Sequence, residues 1–420
     1  MKKKTKVGIL SLGCPRNIVD SEIILSRLDL KNFEIVDIDK CQIAIVNTCS
    51  FIREACEESI DKILDLIELK KQGIIRKIIV AGCLPARYKS ELTASLPEVD
   101  AFIGTLRLSH DVDSVRQTLT LPHYRYVKIS EGCLNNCSYC VIPAIKGAFK
   151  SRTIDSIVKE VRFLDKQGVK EINIIGQDIS QYGSDLYGEI SLDRLLIRIA
   201  SRAKNIKWIR LLYLHPRHIT KSLIKVIAEE PKICKYIDLP LQHINQEILK
   251  RMNRKISKKE IVKLINRVRD NIPGVAIRTA FIVGFPGETQ RQFEELLDFV
   301  KKMRFERLGA FIYSREEGTP AFNFKNQVPL KLKQQRFDLL MKCQQSVAQE
   351  HCREALGSIK EVIVDEKCED SPGTYLGRTR HDAPEVDGGV FVKAKRLNVG
   401  AIINVKITDS LEYDLIGEKV

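Results

Sequence analysis

EGCLNNCSYC, residues 131–140, follows directly on the apolar run Tyr126 to Ser130 and spaces Cys133, Cys137 and Cys140 as C-x3-C-x2-C. The run reads as a buried strand, so the three thiols lie on a tight loop at its end. Three thiolates on one loop can hold three corners of an iron-sulfur cube and leave the fourth iron open to a non-protein ligand. Structural zinc is the alternative. It calls for a fourth Cys or His nearby, and Val141 to Arg152 contains neither.

Downstream of this loop, strand-like runs at Glu171 to Ile175, Trp208 to Tyr213, Tyr236 to Leu239, Val275 to Val283 and Leu308 to Tyr313 alternate with helical patterns. These include Ile154 to Lys166, Leu192 to Ser201 and Phe293 to Lys302. Six βα units in about 200 residues are too few for a closed eight-stranded barrel, so the expected core is a partial (β/α)6 barrel with its site at the strand carboxyl ends.

Upstream, strands are expected at Val7 to Leu12, Ile43 to Asn47 and Lys77 to Ala81. Helical patterns follow at Ile18 to Leu28, Ile52 to Leu69 and about Arg87 to Ser95. This alternation predicts an α/β unit with a doubly wound parallel sheet. VGILSLGCPRNIVDSE, residues 7–22, is a strand-turn-helix unit whose turn holds one glycine and Cys14-Pro15 where a phosphate loop would be glycine-rich. Each strand is followed within a few residues by a cysteine: Cys14, Cys49 and Cys83. Strand carboxyl ends in such sheets share one ligand-binding edge, so these three thiols should meet there. A lone buried cysteine is more often structural; recurrence at three strand ends reverses that reading.

A long helix is expected from Leu330 to Glu354. Beyond it come five short strands, near Lys360 to Asp365, Gly373 to Arg378, Val390 to Val392, Ala401 to Ile407 and Glu412 to Gly417, with Pro-Gly, Asp-Gly and Gly-Gly turns. They suggest a small antiparallel, OB-like barrel. The expected domains are 1–118, 119–350 and 351–420.

The chain has 420 residues and twelve cysteines, and a chain this size needs no disulfide staples, so the thiols are read as free in a reducing, cytoplasmic setting. The start MKKK with VGILSLGC imitates a lipoprotein signal. Its apolar stretch is shorter than the roughly 7 to 15 residues of a secretory core, and no segment reaches membrane-spanning length. Cys41, Cys56, Cys234, Cys343, Cys352 and Cys368 fit no pattern and are read as structural or incidental. The basic run 250–269 spreads its charge over a helical period with Ile256, Ile261, Leu264 and Ile265 inward, so it reads as a solvated face.

With Tyr139 before the last cysteine and the loop at the first barrel strand, the chain resembles the radical S-adenosylmethionine (SAM) superfamily. Together with Cys14, Cys49 and Cys83 it is similar, over essentially its whole length, to the methylthiotransferases, which join a cluster-binding α/β domain, a radical SAM barrel and a C-terminal barrel called TRAM. SLGCPRNIVDSE (11–22), EGCLNNCSYCVIP (131–143), DLPLQH (238–243) and GRTRHDAPEVDG (377–388) resemble the branch that modifies an aspartate of small-subunit ribosomal protein S-twelve. The tRNA-adenosine branch shares the cysteines and remains the rival reading. A non-enzymatic metal-containing RNA-binding protein is a further alternative.

The resemblance implies two [4Fe-4S] clusters and SAM. Cys133, Cys137 and Cys140 would hold the cluster whose open iron chelates SAM and cleaves it to a 5′-deoxyadenosyl radical. Cys14, Cys49 and Cys83 would hold the auxiliary cluster that carries the sulfur. Tyr139, Gln177, Gln242 and the IVGFPGE segment, with Ile282 and Gly284, fall at strand ends where the superfamily contacts SAM; Gly-Phe-Pro-Gly is also an ordinary turn. Arg217 and Arg278 are left open between the SAM carboxylate and ordinary salt bridges. No side chain is named as general base, and an electron donor is implied.

Net charge is +15, but residues 351–420 carry 10 Lys+Arg against 13 Asp+Glu, so that tail is −3 and the rest +18. An RNA-binding barrel would carry a basic footprint. The acidic loop with Asp382, Glu385 and Asp387 is therefore expected to face a basic ribosomal protein, free or in the assembled subunit.

Overall fold

The computed structural model describes residues 4–106 and 117–420. Its first unit contains β1 (Thr5–Ser11), α1 (Pro15–Ser26), β2 (Phe33–Ile35), β3 (Ile43–Thr48), α2 (Arg53–Lys71), β4 (Lys77–Gly82), α3 (Cys83–Ser95) and β5 (Ala101–Ile103). All five strands are parallel, in the order β2-β1-β3-β4-β5. The chain steps one way from β1 to β2 and the other way to β3, which opens a crevice between β1 and β3 at their carboxyl ends. The strands are apolar on both faces: Ala44, Val46, Ile78 and Val80 are buried with Ile63, Leu66 and Ile67 of α2. β2 and β5, three residues each, are too short to leave a sequence pattern. α3 starts at Cys83, before the expected Arg87, and kinks at Tyr88 (φ −131°, ψ 33°), so only its later part keeps a regular period.

The second unit follows as β6 (Tyr124–Lys128), β7 (Ser130–Glu131), α4 (Ile142–Lys146), β8 (Lys150–Ser151), α5 (Ile154–Lys166), β9 (Glu171–Ile175), α6 (Ser184–Tyr187), α7 (Leu192–Arg202), β10 (Trp208–Leu211), α8 (Lys221–Glu229), β11 (Ile233–Asp238), α9 (Gln246–Arg251), α10 (Lys258–Asn271), β12 (Ala276–Val283), α11 (Gln290–Met303) and β13 (Arg307–Ile312). Six parallel strands run β6-β9-β10-β11-β12-β13, an open partial barrel with β6 and β13 at its edges. Its outward side chains, among them Val127, Ile172, Ile174, Ile209, Ile237 and Phe281, pack under the amphipathic helices. Ile261, Leu264 and Ile265 of α10 are buried there, so Lys258, Lys259 and Lys263 of the basic run lie on the solvated face of a helix whose start is fixed by a Ser257–Glu260 capping box, whereas Arg254, before that helix, is buried, against the expectation for the run.

The inward face is different, carrying Tyr124, Tyr126, Glu171, Trp208, Arg210 and Tyr236, all buried. Two other parts of the chain cover it. Ile18, Val19 and Ile23 of α1 pack beside Ile175 and Leu212 toward the carboxyl ends of the strands. At the amino ends sits the third unit, α12 (Leu330–Glu354) leading to β14 (Ile359–Lys367), β15 (Thr374–Thr379), β16 (Val390–Lys393), β17 (Ile402–Ser410) and β18 (Leu415–Lys419). These strands close a barrel in the order β14-β15-β16-β18-β17, antiparallel throughout except for a parallel β16–β18 pair.

The loop between β15 and β16 corrects the expectation drawn from its charge. Asp382 accepts from Arg307 Nε at 3.1 Å, and Asp387 from Tyr236 Oη at 2.7 Å and Arg278 Nε at 3.3 Å. Glu385 accepts from Tyr124 Oη at 2.7 Å. Beside the loop, Arg378 joins Asp365 (2.7 Å) to Glu171 (2.9 Å), which also binds Arg210 (2.9 Å). A buried carboxylate needs a partner, and the inner barrel face supplies arginines, so Asp382 and Asp387 are spent inside the molecule and do not present charge to a protein partner. Arg278, bound to Asp238 and Asp387, is salt-bridged.

Removing one member of a buried ion pair costs about 3–5 kcal/mol, so Asp382→Ala should destabilise the chain by about 3 kcal/mol in denaturant unfolding. A change under about 0.5 kcal/mol, typical of a surface site, would contradict the docked arrangement. Burial alone would raise the Asp382 carboxyl, but Arg307 and the Thr379 hydroxyl together outweigh it and hold it below the usual carboxylate range. Its contribution is therefore full above about pH 4 and is lost as pH falls through the depressed value. The stability gap between wild type and Asp382→Asn should narrow on acidification below pH 4; a gap that widens there would refute the pairing.

Candidate iron-sulfur and cofactor site

Cys14 is the N-cap of α1, Cys83 is the first residue of α3, and Cys49 lies in the turn between β3 and α2. Two of the three thiols thus sit at helix amino ends, where the dipole favours a thiolate. Asn17 ties the first two turns together, its Nδ2 donating to Leu12 O (2.8 Å) and Thr48 O (3.0 Å), while Asn47 Nδ2 donates back to Asn17 O (2.8 Å). Gly13 (φ +88°) lets the chain pass beside Cys49: a Cβ there would lie 2.6 Å from the Cys49 Cβ. Cys14 and Cys49 are thus brought together at the β1/β3 crevice, and Cys83 stands at the end of β4, the strand paired with β3.

Cys133, Cys137 and Cys140 occupy the loop closed at its base by the β7–β8 pairing. Gly132 (φ +76°) turns the chain into that loop, where a Cβ would come within 2.6 Å of Ala148 O. Cys140 N donates to Cys137 O at 3.1 Å, and Ser138 is pinned by Met252 O (3.0 Å) and Arg251 O (2.7 Å). Asn135 aims its N–H and its side-chain amide at Cys133 Sγ, both at 3.4 Å, and Arg254 Nη1 lies 3.6 Å from Cys137 Sγ.

Burial pushes the thiols of Cys83 and Cys140 up to about 12 and that of Cys133 up to about 11. Metal binding must therefore displace protons from these three. Cys14 is the exception: burial opposes ionisation, but Arg16 outweighs it and brings the thiol below its ordinary value. The same guanidinium reaches the barrel, its Nη1 donating to Gly176 O just past β9 at 3.0 Å, so the first set lies at the carboxyl end of the barrel, where the second set stands. Among the described residues no three Cys, His, Asp or Glu side chains converge on a single ion. Ligands of a four-iron cube bind different irons, so two sets of three thiolates on glycine-shaped turns suit that larger group.

The expected SAM contacts lie around the second set. Tyr139, Ile282 and Phe324 pack against a buried cluster that includes Phe285 and Tyr313, and the Tyr139 hydroxyl lies 3.5 Å from Arg254 Nη1. Gln177 donates to Glu131 Oε1 at 2.5 Å and leaves its own Oε1 buried without a partner. Gln242 adopts φ +72° and bridges to β12, accepting from Ile282 N at 2.8 Å. That conformation is uncommon for a non-glycine residue and clusters at functional sites. Gly284 (φ +71°) gives its N–H to Glu288 at 2.9 Å, and the space a Cβ would take is filled by Lys333. Ser130 Oγ, His215 Nε2 and Arg254 Nε are further buried polar atoms without partners at this end of the barrel. Such orphans suit a polar cofactor. Arg217 is exposed.

Sequence reading missed the charges that join the two sets. Lys128 Nζ binds Asp20 of α1 and Glu131 (2.6 Å), and Lys146 Nζ lies 3.3 Å from Asp20 and 3.4 Å from Glu131. Asp20 and Glu131 stand inside the quoted motifs, which was the available signal.

Three family models match in chain order: "Uncharacterized protein family UPF0004" over residues 6–104, "Radical SAM superfamily" over 127–300 and "TRAM domain" over 356–420. Among solved structures, a radical SAM methyltransferase, TsrM from Kitasatospora setae, superposes with TM-score 0.56 at 13% identity, covering 93% of this chain and 80% of that one. Fold and site thus define a radical SAM enzyme. Proteins named ribosomal protein uS12 methylthiotransferase RimO are 47% identical in Geobacter sulfurreducens, 48% in Carboxydothermus hydrogenoformans and 43% in Clostridioides difficile, each alignment covering at least 98% of both chains. The chain belongs to this RimO family of radical SAM methylthiotransferases, which are transferases.

If Gly13 is needed to bring Cys14 beside Cys49, Gly13→Ala should disrupt the first set alone. The reconstituted variant should then carry about half the wild-type iron and sulfide, one cube's worth. Full iron content would contradict the role given to this turn.

Proposed function

We propose that this chain replaces a β C–H bond of an aspartate in ribosomal protein uS12 with C–SCH3, using two [4Fe-4S] clusters and SAM. The observation that supports it most strongly is the facing of two separate thiol triads at the carboxyl ends of two parallel sheets, in a chain so similar to the RimO proteins. Cys133, Cys137 and Cys140 would hold the SAM-binding cluster, and Cys14, Cys49 and Cys83 the auxiliary one. When bound, the clusters and SAM supply one-electron cleavage chemistry, the sulfur and the methyl group.

The chain's own residues prepare that space. Asn135 offers two donors to Cys133, which favours its thiolate form, and Arg254 places a guanidinium N–H 3.6 Å from Cys137 Sγ. Tyr139, Phe285, Tyr313 and Phe324 make an apolar wall that keeps water from the cofactor. Gln177, Gln242, Ile282 and Gly284 would line the SAM site. We take 1–118, 119–350 and 351–420 as the auxiliary-cluster, radical SAM and TRAM domains. The substrate is the free protein or the ribosomal subunit, and a one-electron donor completes the system. No helix among the described residues is long and apolar enough to cross a membrane, and we infer a cytoplasmic setting.

Cys133→Ala should abolish formation of 5′-deoxyadenosine, whereas Cys14→Ala should retain it and lose methylthiolation; equal effects on both would refute two separate roles. Mass spectrometry of uS12 and of tRNA hydrolysates, from cells with and without the gene, tests the substrate. The methylthio group should disappear from uS12. Its loss from tRNA alone would assign the chain to tRNA modification.

A further inference from the structure

Arg16 stands between the two thiol sets. It lies two residues beyond Cys14 in the first turn of α1, and its Nε donates to Cys14 Sγ at 3.3 Å. Its Nη1 reaches across to the barrel and donates to Gly176 O, just past β9, at 3.0 Å. The guanidinium carbon lies 4.5 Å over the ring centre of Tyr213, just past β10. Tyr213 holds φ +66°, its N–H donating to Asp238 Oδ2 at 2.8 Å. The plane of the Arg16 guanidinium is thus fixed from three sides.

Besides the Cys14 thiol, its charge has no anionic side chain of its own. The neighbouring carboxylates, Asp20 and Glu131, face Lys128 and Lys146, two negative charges against two positive. No carboxylate lies within ion-pair distance of Arg16 among the described residues. A guanidinium has five N–H donors, and the two bonds above use one each on Nε and Nη1, so the Nη2 edge has no acceptor among them. Such an edge matches a carboxylate through two parallel bonds.

We propose that Arg16 binds the side-chain carboxylate of the substrate aspartate between the two thiol sets and thereby selects an acidic residue for modification. The inference rests on the reading of the chain as a uS12 aspartate methylthiotransferase. An aspartate held by its carboxylate keeps the adjoining methylene, the carbon to be modified, inside the shared space. Adenine, which sets a donor amine beside each of N1 and N7, offers this edge no pair of adjacent acceptors. If Arg16 served only Cys14, its Nε would suffice and nothing would call for the span to β9 and β10.

Purified uS12, and uS12 carrying asparagine in place of the target aspartate, would be titrated against reconstituted wild type, Arg16→Gln and Arg16→Lys enzyme, with iron measured on each. Wild type should prefer aspartate by at least about tenfold, the scale of one charge-assisted bidentate contact. Arg16→Gln should bind both forms alike with its iron intact, and Arg16→Lys should recover part of the preference. Unchanged discrimination in Arg16→Gln would overturn the proposal, as would loss of its iron, which would assign Arg16 to the thiolates. A wild type that modifies uS12 yet binds the two forms equally would overturn the anchor alone; a wild type that modifies no uS12 would overturn the substrate assignment beneath it.

Discussion

Lys128, at the carboxyl end of the first barrel strand, is held between Asp20 of α1 and Glu131 of the cluster loop, with Lys146 close to both carboxylates. Four charges removed from water would each cost several kcal/mol if alone. Here two ammoniums meet two carboxylates, and Gln177 adds a further donor to Glu131. Asp20 comes from α1 of the N-terminal unit, the other four from the barrel. The arrangement is satisfied only when α1 lies on the barrel rim, and in that position Arg16, beside Cys14, reaches Gly176 at the carboxyl end of β9. Burying these charges gives the interface a register that apolar packing of Ile18, Val19 and Ile23 alone would not specify.

The same logic operates at the opposite end of the barrel. Arginines on the inner face, Arg210, Arg278 and Arg307, need counter-ions, and the C-terminal barrel brings Asp382, Asp387 and the Arg378–Asp365 pair to meet them or their neighbours. The open barrel is thus closed at both ends by other parts of the chain, and at each end some charges, Asp20 at one and Arg307 with Asp382 at the other, find their ion partners only on docking. The carboxyl end, where Gln177 and Arg254 keep unpartnered polar atoms, is left for the chemistry.

Much of this was legible in the sequence because it depends on local period. The six long barrel strands, the helix Leu330–Glu354 and the five short strands of the tail follow from alternation and turn residues, and the six cysteines from their place after strands. What escaped depends on contacts distant in sequence. β2 is three residues long, so the crevice between β1 and β3 could not be read directly. Asp382 and Asp387 look solvent-facing when counted as net charge, because nothing local says that Arg278 and Arg307 point inward to meet them. Arg16 reads as a helix residue after Pro15 until Gly176 and Tyr213 are placed beside it.

The central claim is that the two thiol sets hold clusters facing one shared space. Electron paramagnetic resonance of the doubly reduced, reconstituted enzyme tests it most directly. Magnetic interaction between two clusters is expected in wild type, giving way to a simple single-cluster spectrum in Cys49→Ala. A wild-type spectrum that is the plain sum of two non-interacting clusters, or of one cluster alone, would contradict the account.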